Sequence, residues 1–123
     1  MAKPMQNECG SALHVHQSLV RVDDGQSIFA DEQGEHTDAF LSYIAGLQQY
    51  TPELIAFYAP NVNSYRRLAP DISAPINLNW GLDNRTTAFR VPESSPAATR
   101  VENRFPGADV NPYLAMAATL ASG

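Results

Sequence analysis

The chain has 123 residues, a formal net charge of -5 and 44% hydrophobic residues, a composition typical of one globular domain. It contains no apolar run near the ~20 residues of a membrane helix and no long basic run, so we expect neither a membrane span nor a nucleic-acid partner. The single cysteine, Cys9, excludes a disulfide within the chain and favours a cytoplasmic location.

The first half of the chain predicts a hairpin followed by two helices. Apolar and polar residues alternate over residues 10–22, which indicates a strand that ends in a turn at 23–26 and pairs with residues 27–30. Thr37 is a suitable N-cap for a helix that continues to Tyr50. The sequence Thr51-Pro52-Glu53 has the features of a helix start, so we expect a second, short helix there.

The second half predicts a loop, three strands and a final helix. Residues 59–75 contain three prolines, so we expect a loop with one helical turn there. Alternation predicts strands at 76–80, 85–91 and 99–105, and Asn111-Pro112 is a cap and first position of a helix. This order of elements predicts an α+β fold, an antiparallel sheet with flanking helices.

Charge is unevenly distributed along the chain. Residues 1–65 carry eight acidic and two basic residues, whereas residues 66–123 carry five acidic residues and six arginines without a lysine. Because guanidinium groups bind carboxylates and phosphates through paired hydrogen bonds, the second half is typical of a chain that recognises small anions.

The strand "TRVENRF" places Arg100, Glu102 and Arg104 on one face. Burying such a face is costly unless an anion or a metal ion occupies the space beside it. The simpler interpretation is a solvated face whose charges pair with each other. The strand alone leaves both interpretations open.

Two histidines, His14 and His16, share one face of the first predicted strand in "SALHVHQSL". They could be surface residues, or they could bind one metal ion together, but His-x-His without a third local ligand is a weak metal signal. A single histidine that shares a site with a remote carboxylate fits equally well, and Glu102 is the best candidate for that carboxylate.

Four motifs resemble consecutive motifs of the glutamine synthetase family, in the family's order: "GSALHVHQSL", "APNVNSYRRLAP", "APINLNWGLDNRTTAFRVP" and "RVENRFPGADVNPYLAMAATLASG". The resemblance implies that residues 1–123 are a partial catalytic domain. The family's N-terminal domain, its upstream segment with most metal-binding glutamates and its C-terminal region have no counterpart here. We therefore expect the isolated chain to be inactive.

The resemblance also implies a reaction. Family members use ATP and Mg²⁺ or Mn²⁺ to join ammonia or an amine to the γ-carboxylate of glutamate through an acyl phosphate, and they work as ring-shaped homo-oligomers. The alternatives are an enzyme that uses ammonia, an enzyme that uses a larger amine, and a catalytically silent family member with a binding role.

Site residues follow by matching each motif to the family's pattern. The expected metal ligands are His14 and Glu102. The expected nucleotide-binding residues are His16, Ser18, Arg90 and Arg100. The expected substrate-binding residues are Gly10, Arg67, Arg85 and Arg104, and Arg85 and Arg104 are also expected to be catalytic.

Three departures from the family's pattern concern the substrates. Cys9 stands where the family has an asparagine that contacts glutamate, and Ser73 stands where ammonia-using members have a glutamate, with Asp71 as the nearest acid. The sequences "WGLDNRT" and "PGADVNPYL" resemble the γ-glutamylpolyamine synthetase branch. Because a neutral Ser73 leaves room for a bulkier nucleophile, we expect an amine other than ammonia.

Overall fold

The computed structural model describes residues 1–70 and 73–123 and contains short strands and two longer helices. The elements, in chain order, are β1 (Val15–Gln17), α1 (Asp38–Tyr58), α2 (Val62–Tyr65), β2 (Trp80–Leu82), β3 (Phe89–Val91), a 3₁₀ turn (Pro96–Ala98), β4 (Val101–Asn103) and α3 (Pro112–Ser122). This architecture confirms the predicted α+β class. None of the described helices is long and apolar enough to cross a membrane.

The four strands form one sheet in the order β1-β4-β3-β2. Strand β4 is antiparallel to both β1 and β3, as predicted, but β2 and β3 run parallel. Parallel neighbours usually need a long crossover. Here each strand has only three residues and spans ~10 Å, so residues 83–88 are long enough to bring the chain back to the start of the next strand.

The strands are shorter than the alternation in the sequence predicts. In the 10–22 segment only Val15–Gln17 is regular strand, flanked by single bridges from Ala12 to Gly107 and from Val20 to Ser27. The second bridge confirms that the chain returns after the predicted turn, where Gly25 has a φ of 69°. Alternation therefore identifies the extended segments, but it does not show how much of each one has a partner.

The predicted break between two helices at Thr51 is wrong, because α1 continues through Pro52 to Tyr58. Proline fixes φ near the helical value, and its main cost is the hydrogen bond that its missing N–H cannot make. The buried side of α1 includes Thr51 as well as Leu47 and Tyr58, so one packed surface extends across the proline. Packing therefore compensates for the local helix-breaking signal.

The starts of α1 and α3 are predicted correctly. The Thr37 side chain accepts a hydrogen bond from the backbone N–H of Phe40 at 3.2 Å. The Asn111 side chain accepts from the backbone N–H groups of Tyr113 and Leu114. These caps satisfy backbone donors that have no partner within the first turn of a helix.

The hydrophobic core lies between one face of the sheet and helices α1 and α3. Phe89 and Val101 contribute from the sheet, Leu47 from α1 and Ala115 from α3. Asn103 is fully buried on the same face, where its side-chain amide donates to the Thr119 hydroxyl at 3.0 Å. Glu102 lies between Val101 and Asn103 and therefore projects from the opposite face.

Candidate active site

Three polar residues form a row across the sheet on the face away from the core. In the register of the strands, His16 of β1 lies opposite Glu102 of β4, and Glu102 lies opposite Arg90 of β3. Residues that lie opposite each other in a sheet point to the same side. The row therefore places Glu102 at the centre of a charged group.

Glu102 is buried and receives contacts from four side chains. Its Oε2 accepts from Arg90 Nη1 at 2.9 Å, and its Oε1 accepts from Arg104 Nη1 at 3.1 Å. The same Oε1 lies 2.8 Å from His14 Nδ1 and 3.8 Å from His16 Nε2. Burial alone would raise the pKa of Glu102, but the Arg90 hydrogen bond and the Arg104 charge outweigh burial, so the pKa is lowered. The carboxylate is therefore ionised.

His14 and Glu102 together have the chemistry of two neighbouring metal ligands. Burial and the charge of Arg104 lower the pKa of His14, which favours the neutral imidazole that binds metals. His14 Nδ1 lies 2.8 Å from Glu102 Oε1, a hydrogen-bonding distance that places an imidazole nitrogen and a carboxylate oxygen side by side. Among the described residues no three His, Cys, Asp or Glu side chains form a complete metal site. The pair therefore fits part of a coordination sphere.

A small cavity of about 120 Å³ lies beside this cluster. Its lining includes four of the predicted site residues, Gly10, His14, Arg67 and Arg104, as well as Cys9 and Ser73, the two departures from the family's pattern. Gly10 is needed for close packing, because a Cβ there would lie 2.5 Å from the Ala2 carbonyl oxygen and 2.8 Å from Arg67 Cγ. The structure thus brings together residues that are distant in the sequence.

Two buried arginines make this cavity positively charged. Arg67 donates to the backbone carbonyl oxygens of Phe105 at 2.8 Å and Arg104 at 2.7 Å, and its pKa is lowered by burial and by the neighbouring Arg104 charge. Arg104 donates to Glu102 and to the Ser73 carbonyl oxygen at 3.2 Å, while its buried Nε has no partner among the described residues. Two guanidinium groups near one carboxylate leave the cavity suited to an anion.

The other predicted site residues lie at different positions. Arg90 belongs to the Glu102 cluster, whereas Arg100 donates to the Ala98 carbonyl oxygen at 3.2 Å and takes no part in it. Ser18 is exposed beyond the end of β1, and Arg85 is exposed in the turn between β2 and β3. Of the three charged residues of "TRVENRF", Glu102 and Arg104 therefore pair with each other, and Arg100 is not among the described partners of Glu102.

Asp83 is a site residue that the sequence analysis missed. Its carboxylate accepts from Arg90 Nε at 3.1 Å and from Arg90 Nη2, and these bonds together with the one to Glu102 raise the pKa of Arg90. Asp83 adopts a φ of 45°, which is uncommon for a residue with a side chain. The parallel pairing of Leu82 with Val91 brings Asp83 to Arg90, so this contact requires knowledge of the strand direction.

Comparison with known proteins identifies the family to which the chain is similar. The family model described as "Glutamine synthetase, catalytic domain" matches residues 1–123. The chain is 46% identical over 127 residues to a glutamine synthetase from Streptomyces coelicolor, covering 100% of this chain and 27% of that protein. It is 42% identical over 121 residues to gamma-glutamylputrescine synthetase from Escherichia coli, covering 98% of this chain and 25% of that protein.

A third relative, a glutamate–isopropylamine ligase from a Pseudomonas species, is 45% identical over 125 residues, which cover 100% of this chain and 27% of that protein. The chain thus spans about a quarter of the length of these curated relatives. Their similar identities do not separate the branches of the family. The motifs, the site geometry and the match over the whole chain establish that this chain belongs to the glutamine synthetase catalytic-domain family.

Proposed function

We propose that residues 1–123 are the central part of the catalytic domain of an ATP-dependent ligase that joins an amine to the γ-carboxylate of glutamate. The observation that carries the proposal is the buried Glu102 beside a small cationic cavity. Its carboxylate accepts hydrogen bonds from Arg90 and Arg104 and lies 2.8 Å from His14 Nδ1. A site that combines an imidazole and a carboxylate, both suited to bind a metal ion, with several arginines suits a reaction in which a phosphoryl group is transferred to a carboxylate.

The proposed reaction has two steps. First, a γ-carboxylate oxygen of glutamate attacks the terminal phosphorus of ATP, so that a phosphorus–oxygen bond forms to the substrate and ADP leaves. The amine nitrogen then attacks the acyl carbon, a carbon–nitrogen bond forms, the carbon–oxygen bond to phosphate breaks, and the nitrogen loses a proton. Phosphorylation is needed because a free carboxylate has no good leaving group.

The arginines of this chain would bind and orient the reacting groups. Arg67 and Arg104 line the small cavity and would bind carboxylate groups of glutamate. Arg85 and Arg90 would stabilise charge on the phosphoryl group as it is transferred. Arg67 is held by two backbone carbonyl groups, so its position in the cavity is set before any substrate binds.

His14 and Glu102 would hold a divalent cation, Mg²⁺ or Mn²⁺, with further ligands from outside the residues described. When bound, that cation would neutralise phosphate charge during transfer. His16, Ser18 and Arg100 would contact the nucleotide. His16 and Ser18 are exposed and Arg100 is partly exposed, which is compatible with contacts to a ligand that covers the end of the sheet.

We further propose that the acceptor is an amine larger than ammonia. Ser73 lines the cavity as a neutral residue, and two of the relatives are named for putrescine and isopropylamine substrates. The main alternative is an ammonia-using glutamine synthetase, the name carried by the Streptomyces relative. Asp71, the nearest acid to Ser73 in sequence, lies outside the residues that the structure describes.

An assay of the complete enzyme that carries these residues tests the proposal. Glutamate-dependent formation of ADP should be observed with ATP and Mg²⁺, and it should be faster with putrescine or an alkylamine than with ammonia. Faster reaction with ammonia would favour the glutamine synthetase alternative. Absence of reaction with every amine would favour a silent family member. The isolated 123-residue chain should form no ADP. We also propose a homo-oligomer in the cytoplasm, which size-exclusion chromatography and fractionation would check.

A further inference from the structure

Arg67, one of the two buried arginines of the small cationic cavity, is held by contacts at both of its ends. Its backbone N–H donates to the Ser64 carbonyl oxygen of α2 at 3.1 Å. Its guanidinium donates to the carbonyl oxygens of Arg104 and Phe105, which belong to the β4–α3 loop (residues 104–110). The position of α2 relative to the β4–α3 loop therefore determines where the Arg67 side chain lies in the cavity.

Asp109 joins α2 to the β4–α3 loop. Its Oδ2 accepts hydrogen bonds from the Ser64 hydroxyl at 3.0 Å and from the Asn61 side-chain amide at 3.4 Å. The Ser64 hydroxyl in turn accepts from the Asn61 backbone N–H at 3.1 Å. Ser64 is 1% exposed, so water has little access to its contact with Asp109. The carboxylate thus fixes α2 to the same loop that holds the Arg67 guanidinium.

The β4–α3 loop leaves space for this carboxylate and is itself anchored. A Cβ at Gly107 would lie 2.9 Å from Asp109 Oδ1, so the close approach of the carboxylate requires glycine at this position. The Gly107 backbone N–H donates to the carbonyl oxygen of Tyr58, the last residue of α1, at 3.0 Å. The loop is therefore attached to α1 through its backbone and to α2 through Asp109.

The negative charge of Asp109 also acts on Arg67. Burial alone would raise the pKa of Asp109, but hydrogen bonds from Ser64, from its own backbone N–H and from Asn61 lower it, so the carboxylate is ionised. Burial and the Arg104 charge lower the pKa of Arg67, and the Asp109 charge opposes this lowering. Asp109 thus provides an anchor for α2 and a charge that favours ionised Arg67.

We propose that Asp109 is a positioning residue that holds α2 against the β4–α3 loop and thereby keeps the Arg67 guanidinium in place to bind a carboxylate of the acid substrate. This inference rests on the ligase function proposed above, in which Arg67 binds glutamate. Asp109 is not among the described residues that line the cavity, so it acts through Arg67 and not by touching the substrate. The described contacts of Glu102 do not involve Asp109, so binding of ATP and phosphoryl transfer should depend on Asp109 much less than binding of glutamate.

Asp109→Leu in the complete enzyme tests the proposal, because leucine is of similar size but cannot accept a hydrogen bond. The KM for glutamate should rise about tenfold, whereas kcat and the KM for ATP should each change by less than about twofold. Asp109→Asn keeps an oxygen acceptor for Ser64 and should restore most of the affinity for glutamate. Asp24→Leu is the matched control, since Asp24 is an exposed carboxylate that pairs with Arg21, and it should leave the KM for glutamate unchanged.

Ser64→Ala removes the same hydrogen bond from the other side, and it tests the proposal alone if Asp109→Leu does not fold. It should raise the KM for glutamate while leaving kcat nearly unchanged. The effects of Ser64→Ala and Asp109→Leu should not add in the double variant, because both substitutions break one contact. Full additivity of the two effects would overturn the inference.

The remaining outcomes separate a positioning role from a purely structural role and from failure of the proposed function. A lower thermal midpoint of Asp109→Leu with an unchanged KM for glutamate would overturn the inference, because Asp109 would then stabilise the fold without affecting Arg67. Equal increases in the KM values for glutamate and ATP would overturn it as well. Absence of glutamate-dependent ADP formation with any amine in the unmodified enzyme would instead remove the ligase function, and the inference with it.

Discussion

Replacing Glu102 by glutamine should destabilise the folded chain strongly. The side chain keeps its size, but it loses the negative charge that faces Arg90, Arg104 and His14. Arg104 is buried as deeply as Glu102, and its Nε already lacks a partner among the described residues. Without the carboxylate, the buried Arg104 guanidinium would have no carboxylate partner among the residues that the structure describes.

The size of the effect follows from the burial of both partners. Removing one member of a buried ion pair typically costs ~3–5 kcal/mol, and we expect the lower end of this range because glutamine still offers an oxygen acceptor. With a urea dependence of ~1.5–2 kcal/mol per molar, the unfolding midpoint should fall by about 1.5–2 M. Asp83→Asn also removes a carboxylate charge that pairs with Arg90. Because the Asp83 side chain is 59% exposed, this substitution should cost only ~0–1 kcal/mol.

The measurement is urea unfolding of both variants, followed by the fluorescence of the single tryptophan. Trp80 packs edge-on against Phe40 at a ring distance of 5.8 Å, so its emission should change when the core opens. The two variants should differ by at least ~2 kcal/mol. Equal destabilisation by Glu102→Gln and Asp83→Asn would refute the argument that burial of the Glu102 ion pairs controls stability.

Three further predictions concern the core, the helix contact and the metal. Burial and the neighbouring Tyr58 raise the pKa of Tyr43 to about 12. The contribution of neutral Tyr43 to the free energy of unfolding should therefore be fully present below pH ~10 and be lost as pH rises from ~10 to ~12. Tyr43→Phe should reduce this loss, as measured by urea unfolding at pH ~9 and ~11. A Cβ at Gly46 would lie 2.2 Å from the Ser122 carbonyl oxygen, so Gly46→Ala should cost ~1–3 kcal/mol and lower the thermal midpoint. His14→Ala should weaken Mn²⁺ binding at least ~10-fold, as measured by titration calorimetry. His16→Ala should change Mn²⁺ binding little, because His16 Nε2 lies 3.8 Å from Glu102 Oε1, whereas His14 Nδ1 lies 2.8 Å from it. Equal losses in the two histidine variants would contradict the assignment of one ligand.

Local chemistry allowed parts of the fold to be predicted from the sequence. Thr37 and Asn111 act as caps because their side chains bond to backbone groups a few residues away, and such contacts depend only on nearby sequence. The continuation of α1 through Pro52 and the parallel pairing of β2 with β3 depend on contacts between distant segments. Neither the continuation of the helix nor the direction of the strands can be predicted from neighbouring residues alone.

The candidate site shows the same division. Alternation placed His14 with His16 on one face of the first strand and Glu102 with Arg104 on one face of the last strand, and the structure brings these four residues together. The analysis missed Asp83, because its contact with Arg90 follows from a strand direction that was predicted incorrectly. A shared face can thus be read from the period of a strand, whereas a contact also requires the register.

Ser73 and Ala74, which line the small cationic cavity, also line a second cavity of about 300 Å³ that includes Ile76, and this shared wall has an evolutionary consequence. Mutations in the second cavity, for example at Ile76, can change its shape without altering Gly10, Arg67 or His14 on the other side. Selection can therefore change the surface of the second cavity while the residues of the candidate site stay constant.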